Sequence, residues 1–539
     1  MKKNYYLLML LVGLLSCKKE ASNVSPIQES DTSALRSAMV TTAATVAVVK
    51  DTIPPTNAVN VKTYGALGDG VHDDTQAIQN AINARSILVL TKGTYIINKT
   101  LVMRSGVSIY GTNGATIKAG PSMSGTLLVS GRYFSLNSVA SSSIVNLKFL
   151  PSTKSFTPGA WANAVFYISN SPKNSFKYNT ITFNQAYKAL GIEGFWVSGT
   201  GSTNNFIGYN KLYTAGMEYA EAGASYNIII GNTIQNAHSN GLSSHGNSTV
   251  YCKSNQVINN TVINAGHMGI EDWGNVDGTL LKGNVVSGTG KSPTESADGM
   301  GMSLVGINTV AVLNTLSDAK LMYMEIGGNH NCRIDSNLIN DAASLIPGIV
   351  VNFRGSTPAN TKAASSKVGY NTINNCWEGI SVEGDYTPAA SITGNRINNS
   401  KYIAINVNSN SSFNVNVTGN NITYSKPNVQ SRNAIVVYST KLSSAQIVTE
   451  TNNTITYNTS ANGGVMREIA LLVAINNINF TGNKVVGNNI KAGGIKISAI
   501  SANGNKFTGI TLVSNSFSGA LVELAGMSFK ANTNNVTLN

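Results

Sequence analysis

A short phrase, apolar-x-x-Asn-x-apolar, recurs along most of the chain and limits its fold more than any other feature. Its asparagines are Asn179, Asn210, Asn232, Asn260, Asn284, Asn314, Asn337, Asn371, Asn395, Asn420, Asn453, Asn483 and Asn515. Neighbouring members are between 22 residues (210 to 232) and 34 residues (337 to 371) apart, a period in the solenoid range. A unit this short cannot bury its own apolar face, so successive units must stack. The apolar runs are about 5 residues long and no helical period separates them, which excludes βαβ units. A parallel β-helix fits, with rungs ~4.8 Å apart. Asparagines at one position of successive rungs would form an inward ladder, a structural role and not a chemical one.

Composition agrees with many short strands. Gly is abundant (51 of 539 residues), Pro is scarce (12) and charged residues make up only 12%. The formal net charge of +13 suits an anionic partner, of which an acidic polysaccharide fits an exported protein. The basic residues are scattered, and export removes the usual nucleic-acid targets, so no nucleic acid is expected. Cys252, Cys332 and Cys376 show neither CxxC nor metal spacing and read as small buried hydrophobes.

The N-terminus carries Lys2 and Lys3 and then an apolar run, Leu7 to Leu15, too short to span a bilayer. Leu14-Leu15-Ser16-Cys17 resembles a bacterial lipobox. The resemblance implies a signal peptide over 1–16, a lipid on Cys17 and attachment to the outer membrane of a bacterium. Residues 17–57, rich in Ser, Thr and Ala, read as a flexible tether, and residues 58–539 as one β-helix domain. Membrane contact is expected only through the lipid, and the protein is expected to be a monomer.

Asp73-Asp74-Thr75 offers an N-cap, and Ala77, Ile78, Ala81 and Ile82 an apolar helical stripe. Asp69, Asp73 and Asp74 are therefore assigned to turns and capping, not to a metal. The passage GALGDGVHDDTQAIQNAI, with TKGTYII and VSIYGTNGATIKAG after it, resembles the N-terminal segment of the pectate-lyase superfamily. That superfamily includes polygalacturonase-like hydrolases, polysaccharide lyases and phage tailspikes. The resemblance implies an all-β, single-stranded right-handed parallel β-helix with an N-terminal capping helix, acting on a polysaccharide.

The second strand of each unit can be aligned on its first apolar residue, and strand alternation then separates inward from outward positions. One outward column reads Glu218, Ser243, Glu271, Ser303, Tyr323. Its neighbour reads Ala220, His245, Trp273, Val305, Glu325, Asn352, Glu383. His238 and His267 precede the same strands, so three of the five histidines fall on two successive rungs. Asp272 takes an inward slot that is apolar in later units, a break in the local rule. Glu218, His245, Glu271, Asp272 and His267 are the candidate catalytic residues. Trp273, Tyr323, Glu325, Arg354, Glu383 and His238 are the candidate contacts to substrate. Glu218 and Glu271, two rungs apart, approach the carboxylate spacing of inverting hydrolases, and His245 between them could tune or exchange a proton.

This face points to glycosidic cleavage of a polysaccharide, with hydrolysis favoured because acids outnumber Lys and Arg on it. The polygalacturonase motifs Asn-Thr-Asp, Asp-Asp, Gly-His-Gly and Arg-x-Lys do not occur as a set, and Ser244-His245-Gly246 only echoes the third. Glu325 followed by Arg354 suits a polysaccharide lyase as the alternative. Calcium would enter with that alternative, but no residue spacing assigns it. A third reading is a β-helix that binds glycan without cleaving it.

Overall fold

A computed structural model describes residues 52–538 apart from intervening stretches that include 124–130, 152–162, 184–192 and 353–364, with side chains as far as Thr456. Cys17, Arg354, the expected signal peptide and nearly all of the expected tether lie outside the described residues. All paired strands run parallel, and all but five collect into three long sheets. One turn of the coil passes from a first-sheet strand such as Gln256–Ile258 to a second-sheet strand, Thr261–Ile263, and then to a third-sheet strand, Ile270–Trp273. Each strand pairs with its counterpart one turn later. The architecture is a single-stranded parallel β-helix, with the right-handed crossovers expected of parallel strands.

The asparagine ladder exists and fixes the register. Oδ1 of Asn210 accepts from the backbone N–H (2.9 Å) and the amide N–H (3.1 Å) of Asn179, one turn earlier. The same pair of bonds links each successive member to Asn453. Asn483 lies outside the described residues, and the Asn515 side chain likewise. The residue just before a ladder asparagine is left-handed, as at Tyr178 (φ 58°), Tyr209 (φ 59°) and Leu313 (φ 59°). That conformation disfavours side chains with a Cβ, so the ladder holds a sharp corner between the first and second sheets. A second ladder, Asn174, Asn205, Asn227 and Asn255, supports another corner.

The inward positions stack type on type. Phe134, Phe166 and Phe195 are register partners, with ring centroids 5.8 and 4.8 Å apart. Met217, Leu242, Ile270, Met302, Met324 and Ile349 continue the column. Cys252, Cys332 and Cys376 are all buried. The entry is closed by a helix, Thr75–Ala84, that buries Ile78, Ala81 and Ile82. The capping chemistry is divided between the two aspartates. Asp73 Oδ1 accepts from the Thr75 N–H (2.9 Å), while Asp74 accepts from Leu67 and Gly68 and ties down the preceding loop.

Removing one ladder rung orphans two buried donors of its predecessor. Asn314→Ala should therefore destabilise the protein by at least ~2 kcal/mol, read as a lowered denaturant midpoint. An unchanged midpoint would show that the ladder does not set stability.

Candidate active site

The third sheet carries the chemistry-bearing residues on its outer side. Glu218, Ser243, Glu271, Ser303 and Glu325 are register partners on five successive strands, so they form one column parallel to the stack axis. His245 and Trp273 are partners in the adjacent column. Glu218 and Glu271 are nearly buried, at 4% and 6% exposed. The His245 ring lies between them, with Nδ1 2.7 Å from Glu218 Oε2 and Nε2 3.2 Å from Glu271 Oε2. Both ring nitrogens face carboxylates, so both must be donors and the ring is an imidazolium. Burial opposes that charge, but the two carboxylates outweigh it and lift the His245 pKa to about 11.

Each carboxylate has further support. Ser243 Oγ donates to Glu218 Oε2 (2.8 Å). The Asn240 amide donates to Glu271 Oε2, and Asn240 Oδ1 faces His267 Nδ1 (3.1 Å) and accepts from the Met268 N–H (3.1 Å). His267 thus reaches Glu271 only through Asn240. Its Nε2 is 3.9 Å from the half-exposed Asp298. His238 stands at the edge, 3.9 Å from Glu193. Glu325 accepts from Ser303 Oγ (2.9 Å). Burial, with the charges of Asp298 and Glu271, holds the Glu325 carboxyl above the usual range.

Three expectations are corrected. Tyr323 does not face solvent: it is 1% exposed. The strand pairs Met324, not Met322, with Met302, so Tyr323 falls at a position that is glycine on the flanking rungs (Gly301, Gly348) and points into the stack. The same two-residue shift moves Glu325 from the second column into the first, beside Ser303. Asp272 keeps its expected inward placement, but it is fully buried and so cannot act on a substrate as a catalytic residue would. It accepts from the Tyr219 hydroxyl and from Thr309 Oγ1 (3.4 Å), and burial raises its pKa to about 6. Tyr219 is the extra residue of a bulge, so Glu221, not Ala220, pairs with His245. Trp273 is 51% exposed beside His245, and Glu383 lies two strands beyond Glu325 in the neighbouring column.

The structure adds residues the column alignment missed. Tyr167 and Trp196 precede Glu218 in the same column. The Trp196 indole N–H donates to Glu221 Oε2 (2.7 Å), and the Arg132 guanidinium packs 3.3 Å from the Tyr167 ring centroid. Gly194-Phe195-Trp196-Val197 is one more instance of the glycine-led strand phrase, so extending the alignment back one rung would have found Trp196. Nothing in the sequence marks Asn240.

The bridged imidazolium has a consequence for stability. A histidine whose pKa rises from 6.5 to about 11 on folding stabilises the fold fully below pH 6.5, and that contribution is lost as pH climbs toward 11. The His245 ring should therefore show no titration between about pH 6 and 8 by nitrogen-15 NMR. The stability advantage over His245→Gln should shrink as pH rises through that interval. A midpoint near the ordinary value of 6.5 would contradict the bridge.

Residues 58–271 match the family model described as rhamnogalacturonase A/epimerase, pectate lyase-like. Among curated proteins, the plasmin and fibronectin-binding protein A of Streptococcus pneumoniae is 39% identical over 69 residues, which is 12% of this chain and 10% of that protein. Among solved structures, the surface adhesin PfbA of the same species aligns over 65% of this chain and 99% of its own, at 16% identity and a TM-score of 0.45. The catalytic unit of a GH87 alpha-1,3-glucanase from Streptomyces thermodiastaticus aligns over 86% and 70%, at 14% identity and a TM-score of 0.38. Strand pairing identifies the described body as a right-handed parallel β-helix, and residues 58–271 of it match the pectate-lyase-like family model.

Proposed function

We propose that the protein cleaves glycosidic bonds of a polysaccharide by hydrolysis, with Glu325 as general acid and Glu271 as general base. The observation that carries this is the contrast between two carboxylates in one column. Glu271 accepts from an amide and an imidazolium, partners suited to an anion. Glu325 has one neutral donor and a raised pKa, as a proton donor needs. Glu218 is not the partner of Glu271, because the His245 ring fills the space between them. Glu271 and Glu325 are separated instead by Ser303, a small residue. Two rungs place their backbones ~10 Å apart, near the ~6.5–9.5 Å carboxyl spacing of inverting glycosidases.

In this scheme Glu325 gives its proton to the glycosidic oxygen as the bond from that oxygen to the anomeric carbon breaks. Glu271 takes a proton from the water that attacks the anomeric carbon from the opposite face. Glu218 and His245 act as positioning residues that fix and charge-balance Glu271. Trp196 and Trp273 offer ring faces for sugars. β-Elimination is the less supported reading, since a strong base and cations for a uronate are both needed and the third sheet's described strands offer one arginine, Arg132. Export and lipid attachment through Cys17 remain part of the proposal and follow from the sequence motif alone.

Glu271→Gln and Glu325→Gln should each cut turnover at least ~100-fold. Glu325→Gln should leave the melting temperature unchanged, whereas Glu271→Gln removes one partner of the His245 imidazolium and should lower it. Reducing-end release from a panel of polysaccharides reads this, and ultraviolet absorbance of unsaturated products would reveal elimination instead. Turnover at the normal rate in either variant removes that residue from the mechanism. Glycan binding with no release by the unaltered protein would make it a binding protein.

A further inference from the structure

We propose that this face takes an uncharged glycan laid along the stack axis, with sugar rings on Tyr167 and Trp196 and hydroxyls hydrogen-bonded to the glutamates. The inference rests on the glycan-cleaving reading of the site and specifies the substrate's charge. It reverses the expectation drawn from the net charge of +13, because the charge is not evenly spread. The thirteen strands of the third sheet carry seven glutamates, one arginine, Arg132, one histidine, His245, and no lysine. The basic side chains of the strands sit largely on the other two sheets, among them Lys118, Lys148, Lys177, Lys211, Lys282 and Lys367.

Local electrostatics decide what binds, since charges more than ~10 Å away are largely screened. The one cation amid the acids among the described residues of these strands, His245, is already matched by two carboxylates. A uronate carboxylate seated among Glu218, Glu271 and Glu325 would meet no unmatched cation on the described strands of the third sheet nearer than Arg132, three rungs before Glu218, and like charges at such range repel. Sugar hydroxyls are the complementary chemistry, because carboxylates only accept hydrogen bonds. Of the three carboxylates in the column, Glu218 and Glu271 are nearly buried, whereas Glu325 is partly exposed and accepts from Ser303 Oγ, so it is the acceptor most open to a sugar hydroxyl.

The aromatic residues point to the same ligand independently. Tyr167, Trp196 and Glu218 are consecutive in register, so two rings lead directly into the acids. The indole bond to Glu221 and the Arg132 contact to Tyr167 hold these rings in place before any ligand arrives. From Tyr167 to Glu325 the column spans six rung steps, roughly 29 Å, room for several sugar units.

Calorimetric titration of Glu325→Gln, which does not consume its ligand, tests the idea. The probes are neutral gluco-, galacto-, manno- and xylo-oligosaccharides, oligogalacturonate and oligo-alginate, each at low and high salt. At least one neutral series should bind with affinity changed less than about twofold by salt, and the uronates should not bind at low salt. Trp196→Ala introduced into the same protein should weaken the neutral ligand at least ~10-fold, equivalent to ~1.4 kcal/mol, with an unchanged melting temperature. Uronate binding that strengthens as salt is removed would overturn the proposal. So would failure of every neutral series, or a Trp196→Ala variant that binds normally. A neutral glycan that is bound but never cleaved would sink the hydrolase reading and leave this one standing. A uronate cleaved through Glu271 and Glu325 would do the reverse.

Discussion

The bond from each ladder asparagine to the one before it is the interaction on which the rest of the structure depends. A parallel stack gains its apolar burial equally well in neighbouring registers unless something counts residues. The ladder does the counting: a slip of one residue would strand buried amide donors and acceptors, at a cost of about 1–3 kcal/mol each. It also stabilises the left-handed corner just before it, even where that corner is Tyr178, Tyr209 or Leu313. With the corner fixed, the strands on either side have no freedom to slide, and the third sheet inherits its register from them.

That inherited register is what turns scattered acids into a site. Glu218, His245 and Glu271 are far apart in sequence and sit on three successive strands. Stacking brings them to within hydrogen-bonding distance of one ring. The interior contributes as well. Tyr219, pushed inward by the bulge, donates to Asp272, and Thr309 joins the same carboxylate. Asp272 is thus the inner support of the strand that presents Glu271 outward, a positioning task that suits a fully buried acid.

The repeat was readable because its cause is repetitive: every rung needs an asparagine at the same corner. The fold class followed from that repeat and the N-terminal resemblance, the capping helix from its N-cap and apolar stripe, and the Glu218, Ser243, Glu271 column from strand alternation. Irregularities were not readable. The bulge at Tyr219 replaces Ala220 by Glu221 opposite His245, and no local pattern announces an inserted residue whose benefit is a bond to Asp272 across the stack. The two-residue offset before Met324 misplaced Tyr323 and Glu325 because the stretch offers two apolar starts, Leu321 and Tyr323, with identical alternation. Asn240 is set by a tertiary contact, which spacing does not encode. Net charge is blind to placement for a related reason: it sums over three sheets whose strands differ in sign.

The account stands most directly on where a bound sugar chain lies. A crystal structure of Glu325→Gln with an oligosaccharide it binds should show sugar rings over Tyr167 and Trp196. It should also place the glycosidic oxygen between residues 271 and 325, with His245 still bridging Glu218 and Glu271. Sugar density on either of the other two sheets, or a His245 ring turned away from both carboxylates, would contradict it.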